Sequence, residues 1–214
     1  MTDTTFLGSA RLDRISVSAM DNNVYLLTAP SGEQLLVDAA DDADAVLTLL
    51  AQEGPLRTVV TTHGHWDHHR ALPAVVAATG ARTAAGAADA SDLPVPVDVL
   101  LAHGDRITVD SGGAVALDVV ALRGHTPGSV ALALTEEDGS GRPGRVHLFT
   151  GDSLFPGGVG KTRSPEDFTR LLDDVEQRLF AVYPDDTVVW PGHGRPTTLG
   201  AERPHLAEWR ARGW

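Results

Sequence analysis

The chain of 214 residues contains no cysteine, which excludes disulfide bonds, thiolate metal ligands and a cysteine nucleophile. Lysine is nearly absent as well: Lys161 is the only one among 17 basic residues, and the others are arginines. Acidic residues number 29, so the formal net charge is −12, which disfavours binding to the phosphate backbone of a nucleic acid.

Long apolar runs are also missing, and none of those present could cross a bilayer. Residues 1–10 lack the basic and apolar pattern of a secretory signal. We therefore expect a cytoplasmic protein with no membrane partner. Hydrophobic residues make up 42% of the chain and charged residues 21%, which is typical of a globular protein, and we expect a single domain over residues 1–214.

Hydrophobic patterns predict many strands and few helices. Strands are predicted at 24–29, 34–39, 56–61, 106–109, 115–122, 129–135, 146–150 and 187–190. Helices are predicted at 42–54, 71–79, 165–180 and 201–212. Residues 136–144 are rich in turn residues and predict the loop of a hairpin. Because helices follow groups of strands, the pattern favours sheets covered by helices on their outer faces.

Histidine and aspartate residues cluster in four short motifs, each directly after or between predicted strands. The motifs are THGHWDH, GHTPGS, GDSLF and PGHG, and glycines accompany every one of them. Imidazole and carboxylate are ligands that Zn and Fe bind, and no thiol is present to compete. We therefore predict a metal site. Its candidate ligands are His63, His65, Asp67, His68, His125, Asp152 and His193.

The remaining histidines are interpreted as ordinary structural or solvated residues, because a single histidine at a strand end is more often that than a metal ligand. This interpretation covers His69, His103, His147 and His205. His69 is expected to begin the exposed surface of a helix.

The four motifs resemble those of the metallo-β-lactamase superfamily and, within it, the glyoxalase II-like hydrolases. They extend from about residue 24 to residue 194 when the first predicted strand is included. The resemblance implies the metallo-β-lactamase fold, an α+β four-layer αββα sandwich with the metal site at one edge between two sheets. It also implies two divalent ions, with zinc expected first and iron or manganese as alternatives. The implied ligands are His63, His65 and His125 for the first ion, Asp67, His68 and His193 for the second, and Asp152 for both.

Two divalent ions at such a site suit hydrolysis. A metal can lower the pKa of bound water to about 7, so that hydroxide is available without a separate protein base. The remaining positive charge favours an anionic tetrahedral intermediate over a neutral carbonyl. We therefore predict a hydrolase that cleaves a small acyl thioester with metal-bound hydroxide, as in hydroxyacylglutathione hydrolase. Asp67 is the candidate catalytic residue, because it can orient that hydroxide.

Two further residues are predicted to support the site. In glyoxalase II-like enzymes a basic residue shortly after the GDSLF-type motif binds the carboxylate of the thiol carrier, and Lys161 has that position. The alternative for Lys161 is a solvated loop residue. Asp38 ends a predicted strand, where it either fixes a ligand histidine or is an ordinary turn residue.

The chain departs from the family around the thiol carrier. His69 and Arg70 replace the usual glycines, and Gly194-Arg195 lacks the aromatic residue of glutathione-binding members. About twenty residues follow His193, where full-length glyoxalase II has a helical domain. The sequence therefore leaves open whether the thiol carrier is glutathione or another small thiol.

The alternative function is a persulfide dioxygenase of the same superfamily, in which one Fe(II) is bound by His63, His125 and Asp152. Those enzymes usually carry arginine where Lys161 stands, which favours hydrolysis. The missing signal disfavours an exported β-lactamase, and the acidic charge disfavours a ribonuclease. A metal-free binding module would bury these histidines and aspartates at a cost in stability.

Overall fold

A computed structural model describes residues 2–51, 54–137 and 144–213. Within them, seven strands form one sheet in chain order. Neighbouring strands are antiparallel from β1 to β4 and parallel from β4 to β7. The bounds are β1 Asp3–Leu7, β2 Ala10–Val17, β3 Asn22–Thr28, β4 Gln34–Val37, β5 Leu56–Thr61, β6 Arg82–Gly86 and β7 Val99–Leu101.

Six strands of the described chain form the second sheet. Their bounds are β8 Arg106–Thr108, β9 Ala116–Ala121, β10 Val130–Thr135, β11 Val146–Gly151, β14 Val188–Pro191 and β15 Thr197–Thr198. The order is β15-β14-β11-β10-β9-β8, and β11 and β14 are parallel. Strands β12 (Leu154–Phe155) and β13 (Gly158–Val159) form a separate hairpin. Strands β10 and β11 pair antiparallel, as the hairpin prediction requires, although residues 138–143 of its loop lie outside the described residues.

Five α-helices in the described residues cover the sheets. They are α1 Ala43–Leu50, α2 Leu72–Thr79, α3 Pro165–Val175, α4 Leu199–Glu202 and α5 Leu206–Arg212, and a π-helical turn at Glu176–Phe180 extends α3. Ser164 caps α3 by accepting a hydrogen bond from the Asp167 amide, and a proline follows at the first helical position. Gly80 ends α2 in the left-handed conformation, at φ 68°.

Side chains that alternate along each strand build the layers. On β3, Tyr25 and Leu27 face the second sheet, whereas Val24 and Leu26 pack with α1 and α2. Between the second sheet and its helices lies a third apolar layer, which contains Leu148, Leu171 and Trp209. Helices, sheet, sheet and helices thus form the four-layer αββα sandwich that the resemblance implied.

The structure also contains elements that the patterns did not predict. No strand was predicted at β1, β2, β6 or β7; β6 has the sequence RTAAG, whose small residues have little intrinsic strand preference. The helix predicted at 201–212 is interrupted by a 3₁₀ turn at Arg203–His205, where Pro204 cannot donate a helical hydrogen bond. None of the helices in the described residues is both long and apolar enough to cross a membrane.

Candidate metal centre

The motifs meet at one end of the sandwich, where β5, β11 and β14 all finish. Two clusters of side chains form there, and the possible ligand atoms within each lie no more than 4.8 Å apart. The first cluster consists of His63, His65 and His125, and the second of Asp67, His68 and His193; a third group within the same limit, His63, His68 and Asp152, joins the two. Asp152 lies between them: one carboxylate oxygen is 3.6 Å from His125 Nε2 and the other is 3.3 Å from His68 Nε2.

The THGHWDH motif supplies side chains to both clusters because the chain changes direction within it. His63 and His65 follow β5, and the Nε2 of the first is 3.1 Å from the Nδ1 of the second. A 3₁₀ turn at Trp66–His68 follows, closed by a hydrogen bond from the His68 amide to the His65 carbonyl. This turn carries Asp67 and His68 to the second cluster.

Asp38 contacts this motif at two residues. Its carboxylate accepts hydrogen bonds from the amide and the hydroxyl of Thr62, at 2.7 and 2.8 Å. The same carboxylate is 2.8 Å from His68 Nδ1. Asp38 has a left-handed backbone, at φ 59°, so it is a turn residue that also holds a histidine of the second cluster. The two alternatives left open by the sequence therefore occur together.

The electrostatic environment differs between the histidines. Burial lowers the pKa of His63, His65 and His125, which keeps the rings neutral and their lone pairs free. Burial would also lower the pKa of His68, but the carboxylates of Asp38 and Asp152 outweigh it and raise this pKa to about 10. The second cluster therefore attracts positive charge.

Two hydrogen bonds to backbone carbonyls aim histidines inward. His125 Nδ1 lies 2.6 Å from the carbonyl oxygen of Lys161, and His193 Nδ1 lies 2.8 Å from that of Met20. Since each Nδ1–H donates to a carbonyl, each Nε2 is left as an acceptor that faces the centre of the site.

A cation would satisfy atoms that are otherwise without partners. His125 Nε2 and Asp152 Oδ1 are buried and have no hydrogen-bond partner in the described chain. Burial raises the pKa of Asp152, but the neighbouring imidazoles of His193 and His68 outweigh it and hold this pKa well below its usual range. A buried acceptor without a partner is costly. These imidazole nitrogens and carboxylate oxygens therefore fit the role of ligands to divalent ions.

Glycines around the site leave the space that these side chains need. A Cβ on Gly192 would lie 2.3 Å from Asp152 Oδ1 and 2.6 Å from His68 Cε1. A Cβ on Gly160 would lie 1.8 Å from the Asp152 carbonyl oxygen. Any other residue at either position would displace a side chain or the backbone of the site.

Lys161 lies beside the first cluster, but only its backbone contacts a histidine. Its side chain is exposed and lines a pocket of about 350 Å³ together with Phe168 of α3 and Arg212 of α5. Among the described residues, neither Lys161 nor Arg212 has a carboxylate partner. No sequence motif predicts a role for Arg212, because only the packing of α5 brings it close to Lys161.

Asn22 is a further residue of the site that the motifs did not reveal. It is fully buried at the start of β3. Its side-chain amide donates to the carboxylate of Asp67 at 3.0 Å and lies 3.4 Å from His193 Nε2. No spacing rule singles out an asparagine 45 residues before its partner.

The remaining histidines lie apart from both clusters. His147 is buried in the second sheet, where Trp190 donates to its Nδ1 and its Nε2 lies 2.7 Å from Glu136. His103 and His205 are exposed, as expected for solvated residues. The expectation of an exposed His69 is wrong: this residue is only 7% exposed, because the 3₁₀ turn directs its ring against Gly64 and α2 begins three residues later.

Known proteins are similar to this chain in sequence and in fold. A curated relative from Fuscovulum blasticum, named hydroxyacylglutathione hydrolase, is 38% identical over 176 residues, which are 81% of this chain and 62% of the relative. The chain thus spans less than two thirds of that relative's length.

Two solved structures match most of the chain. The crystal structure of ETHE1 from Myxococcus xanthus is 27% identical with a TM-score of 0.78, and the match covers 94% of this chain and 84% of that one. TTHA1623 in a di-iron-bound form is 28% identical with a TM-score of 0.69, covering 89% and 96%. A family model described as the metallo-beta-lactamase superfamily matches residues 18–193, a segment that contains both clusters and Asp152. The chain belongs to the metallo-beta-lactamase superfamily.

Proposed function

We propose that this chain is a metal-dependent hydrolase that cleaves a small acyl thioester. The observation that carries the proposal is the pair of three-residue clusters with a shared carboxylate between them. Each cluster offers the three protein ligands typical of a catalytic metal site, which keeps further positions open for water or substrate.

The proposed ligands follow the clusters. The first cluster would hold one ion, the second cluster would hold another, and Asp152 would contact both. Zinc is proposed because imidazole and carboxylate are its ligands in catalytic sites without thiolate. Iron or manganese fit the same donor types, and the similar protein TTHA1623 has been crystallised with two irons bound.

Bound ions would supply Lewis-acid chemistry, which lowers the pKa of water and polarises a carbonyl. The protein contributes orientation. Asp67 would accept a hydrogen bond from the attacking water, and the Asn22 amide would keep its carboxylate in one rotamer. Attack on the thioester carbon breaks the carbon–sulfur bond, so the acyl group leaves as a carboxylic acid and the carrier as a thiol.

The proposed substrate class rests on the relative and on the pocket beside Lys161. The relative's name specifies a hydroxyacyl thioester of glutathione. Lys161 and Arg212 line one pocket of a chain that is acidic overall, and neither cation has a carboxylate partner in the part of the chain that the structure describes. We propose that this pocket binds the carboxylate of the thiol carrier and that Phe168 packs against its aliphatic part.

The persulfide dioxygenase alternative requires one iron on His63, His125 and Asp152. It leaves Asp67, His68 and His193 without a role, although they form a complete second cluster. That cluster favours the hydrolase. The cytoplasmic location, the single domain over residues 1–214 and the lack of nucleic-acid and membrane partners remain predictions from the sequence.

Elemental analysis and two assays test the proposal on one preparation of the whole chain. We expect two metal ions per chain, thiol release from a hydroxyacyl glutathione thioester, and no oxygen uptake with glutathione persulfide. One iron per chain with persulfide-dependent oxygen uptake would establish the dioxygenase instead. A preparation loaded with metal that releases no thiol from any small thioester would overturn the substrate class.

A further inference from the structure

Asp89 is a fully buried carboxylate that belongs to neither cluster. It follows β6 and directly precedes a 3₁₀ turn at Ala90–Asp92. No lysine, arginine or histidine of the described chain pairs with it. A buried carboxylate destabilises the fold unless hydrogen bonds replace its hydration. The groups that donate hydrogen bonds to Asp89 therefore indicate its role.

Three donors surround this carboxylate, and they come from two different loops. The Gly64 amide donates at 2.9 Å and the Gly128 amide at 2.6 Å. The hydroxyl of Thr126 also donates to it, in a short hydrogen bond. Gly128 fits closely, because a Cβ there would lie 2.5 Å from the backbone nitrogen of Asp89.

The two loops are the ones that carry the first cluster. Gly64 lies between His63 and His65, and Thr126 immediately follows His125. One side chain from the loop after β6 therefore connects the loop after β5 to the loop between β9 and β10 of the second sheet. These loops carry the three imidazoles of the first cluster.

The second cluster is held by other groups. Asn22 donates to Asp67, the Met20 carbonyl accepts from His193, and Asp38 contacts His68. Within the described residues, none of the hydrogen bonds of Asp89 reaches the second cluster. Asp89 thus contacts the loops of the first cluster only, whereas Asp38 contacts His68 and also Thr62, whose hydroxyl lies 3.1 Å from His63 Nδ1.

We infer that Asp89 is a positioning residue for the first metal site and acts on that site alone. The inference rests on the proposed two-metal site. An asparagine at position 89 would have the same size but would present an amide N–H toward groups that are themselves donors. At least one loop would then lose its anchor, and His125 would no longer be fixed relative to His63.

The test compares Asp89→Asn with Asp92→Asn in the whole chain. Asp92 is exposed and lies three residues after Asp89, at the end of the 3₁₀ turn. Within the described chain its side chain makes no hydrogen bond to either loop, so it is a matched control. Both proteins are titrated with ¹¹³Cd²⁺, which gives a separate NMR resonance for each site. We expect Asp89→Asn to weaken the first site by about 10- to 100-fold and to leave the second unchanged, whereas Asp92→Asn resembles the parent protein.

A reciprocal variant makes the selectivity measurable. Asn22→Ala is expected to weaken the second site and to spare the first. Equal weakening of both sites by Asp89→Asn, or none, would overturn the inference while the two-metal proposal stands. A parent chain that binds no cadmium would overturn both. Should Asp89→Asn fail to fold, Thr126→Val removes one donor from the same carboxylate, and the same selective loss at the first site is expected.

Discussion

His68 Nδ1 lies 2.8 Å from Asp38 Oδ2, and both side chains are almost completely buried. This contact joins the end of β4 to the 3₁₀ turn after β5, so it fixes the second cluster relative to the first sheet. It also determines the charge of the site. A histidine between two carboxylates keeps a proton when no cation is bound, which couples protonation, metal binding and stability.

The pH dependence of the metal-free protein follows from this coupling. The carboxylates raise the pKa of His68 to about 10, against 6.5 for an ordinary histidine, and the pKa of His193 is raised as well. The protonated His68 therefore stabilises the folded state. This contribution to the unfolding free energy is fully present below pH 6.5 and is lost as the pH rises through 10. Histidines with lowered pKa values, such as His63 and His125, are neutral above pH 6.5 in both the folded and the unfolded state. They therefore do not change the unfolding free energy between pH 6.5 and 10.

We expect the unfolding free energy of the metal-free protein to fall between pH 6.5 and 10, by an amount on the order of a few kcal/mol. Denaturant unfolding at several pH values in the presence of a chelator measures it. Asp38→Asn should flatten the slope, because it removes a carboxylate that raises the pKa of His68. A stability that is constant or rises over this window would contradict the expectation.

The sequence predicted the αββα fold through its resemblance, and it predicted seven candidate ligands, which the structure brings together at one end of the sandwich. Metal-ligand chemistry restricts residue types so strongly that these candidates could be named from their motifs, and their role as ligands stays a prediction. Asp89, Asn22 and Arg212 could not, because their partners are distant in the chain and any buried position accepts a satisfied polar residue. Strand β6 was missed for a similar reason: its alanines become a strand through neighbouring strands rather than through intrinsic preference.

The pocket beside Lys161 gives a prediction about substrate affinity. Lys161→Ala and Arg212→Ala should each raise KM for a thioester with a carboxylated carrier by about tenfold, because each removes one charge-assisted contact. The change in kcat should be smaller, since neither side chain touches the clusters. Steady-state kinetics with carboxylated and amidated carriers measures the difference.

Arg170→Ala is the matched control for that pair. Arg170 is an exposed arginine on α3 that pairs with Asp167 and does not line the pocket. The KM of Arg170→Ala should equal that of the parent protein. If Lys161→Ala also leaves KM unchanged, Lys161 is a solvated loop residue and its side chain does not bind the substrate.

Gly192 offers a steric test of the site. Its missing Cβ leaves the space that Asp152 and His68 occupy, so Gly192→Ala must push one of them away. We expect the variant to fold and to bind fewer than two metal ions per chain, with hydrolysis reduced at least a hundredfold. Elemental analysis and circular dichroism together check this, and a fully loaded, active variant would show that the clusters can shift without loss.

Single ligand replacements separate the two clusters. His65→Ala removes a side chain from the first cluster and Asp67→Ala removes one from the second. Since the proposed reaction needs both ions, we expect each variant to lose about one ion per chain and to lose hydrolysis by at least a thousandfold. His103→Ala changes an exposed histidine far along the chain and should alter neither quantity. Metal content is measured by elemental analysis and turnover by thiol release. Near-normal turnover in Asp67→Ala would exclude that carboxylate from catalysis and favour a site with a single ion.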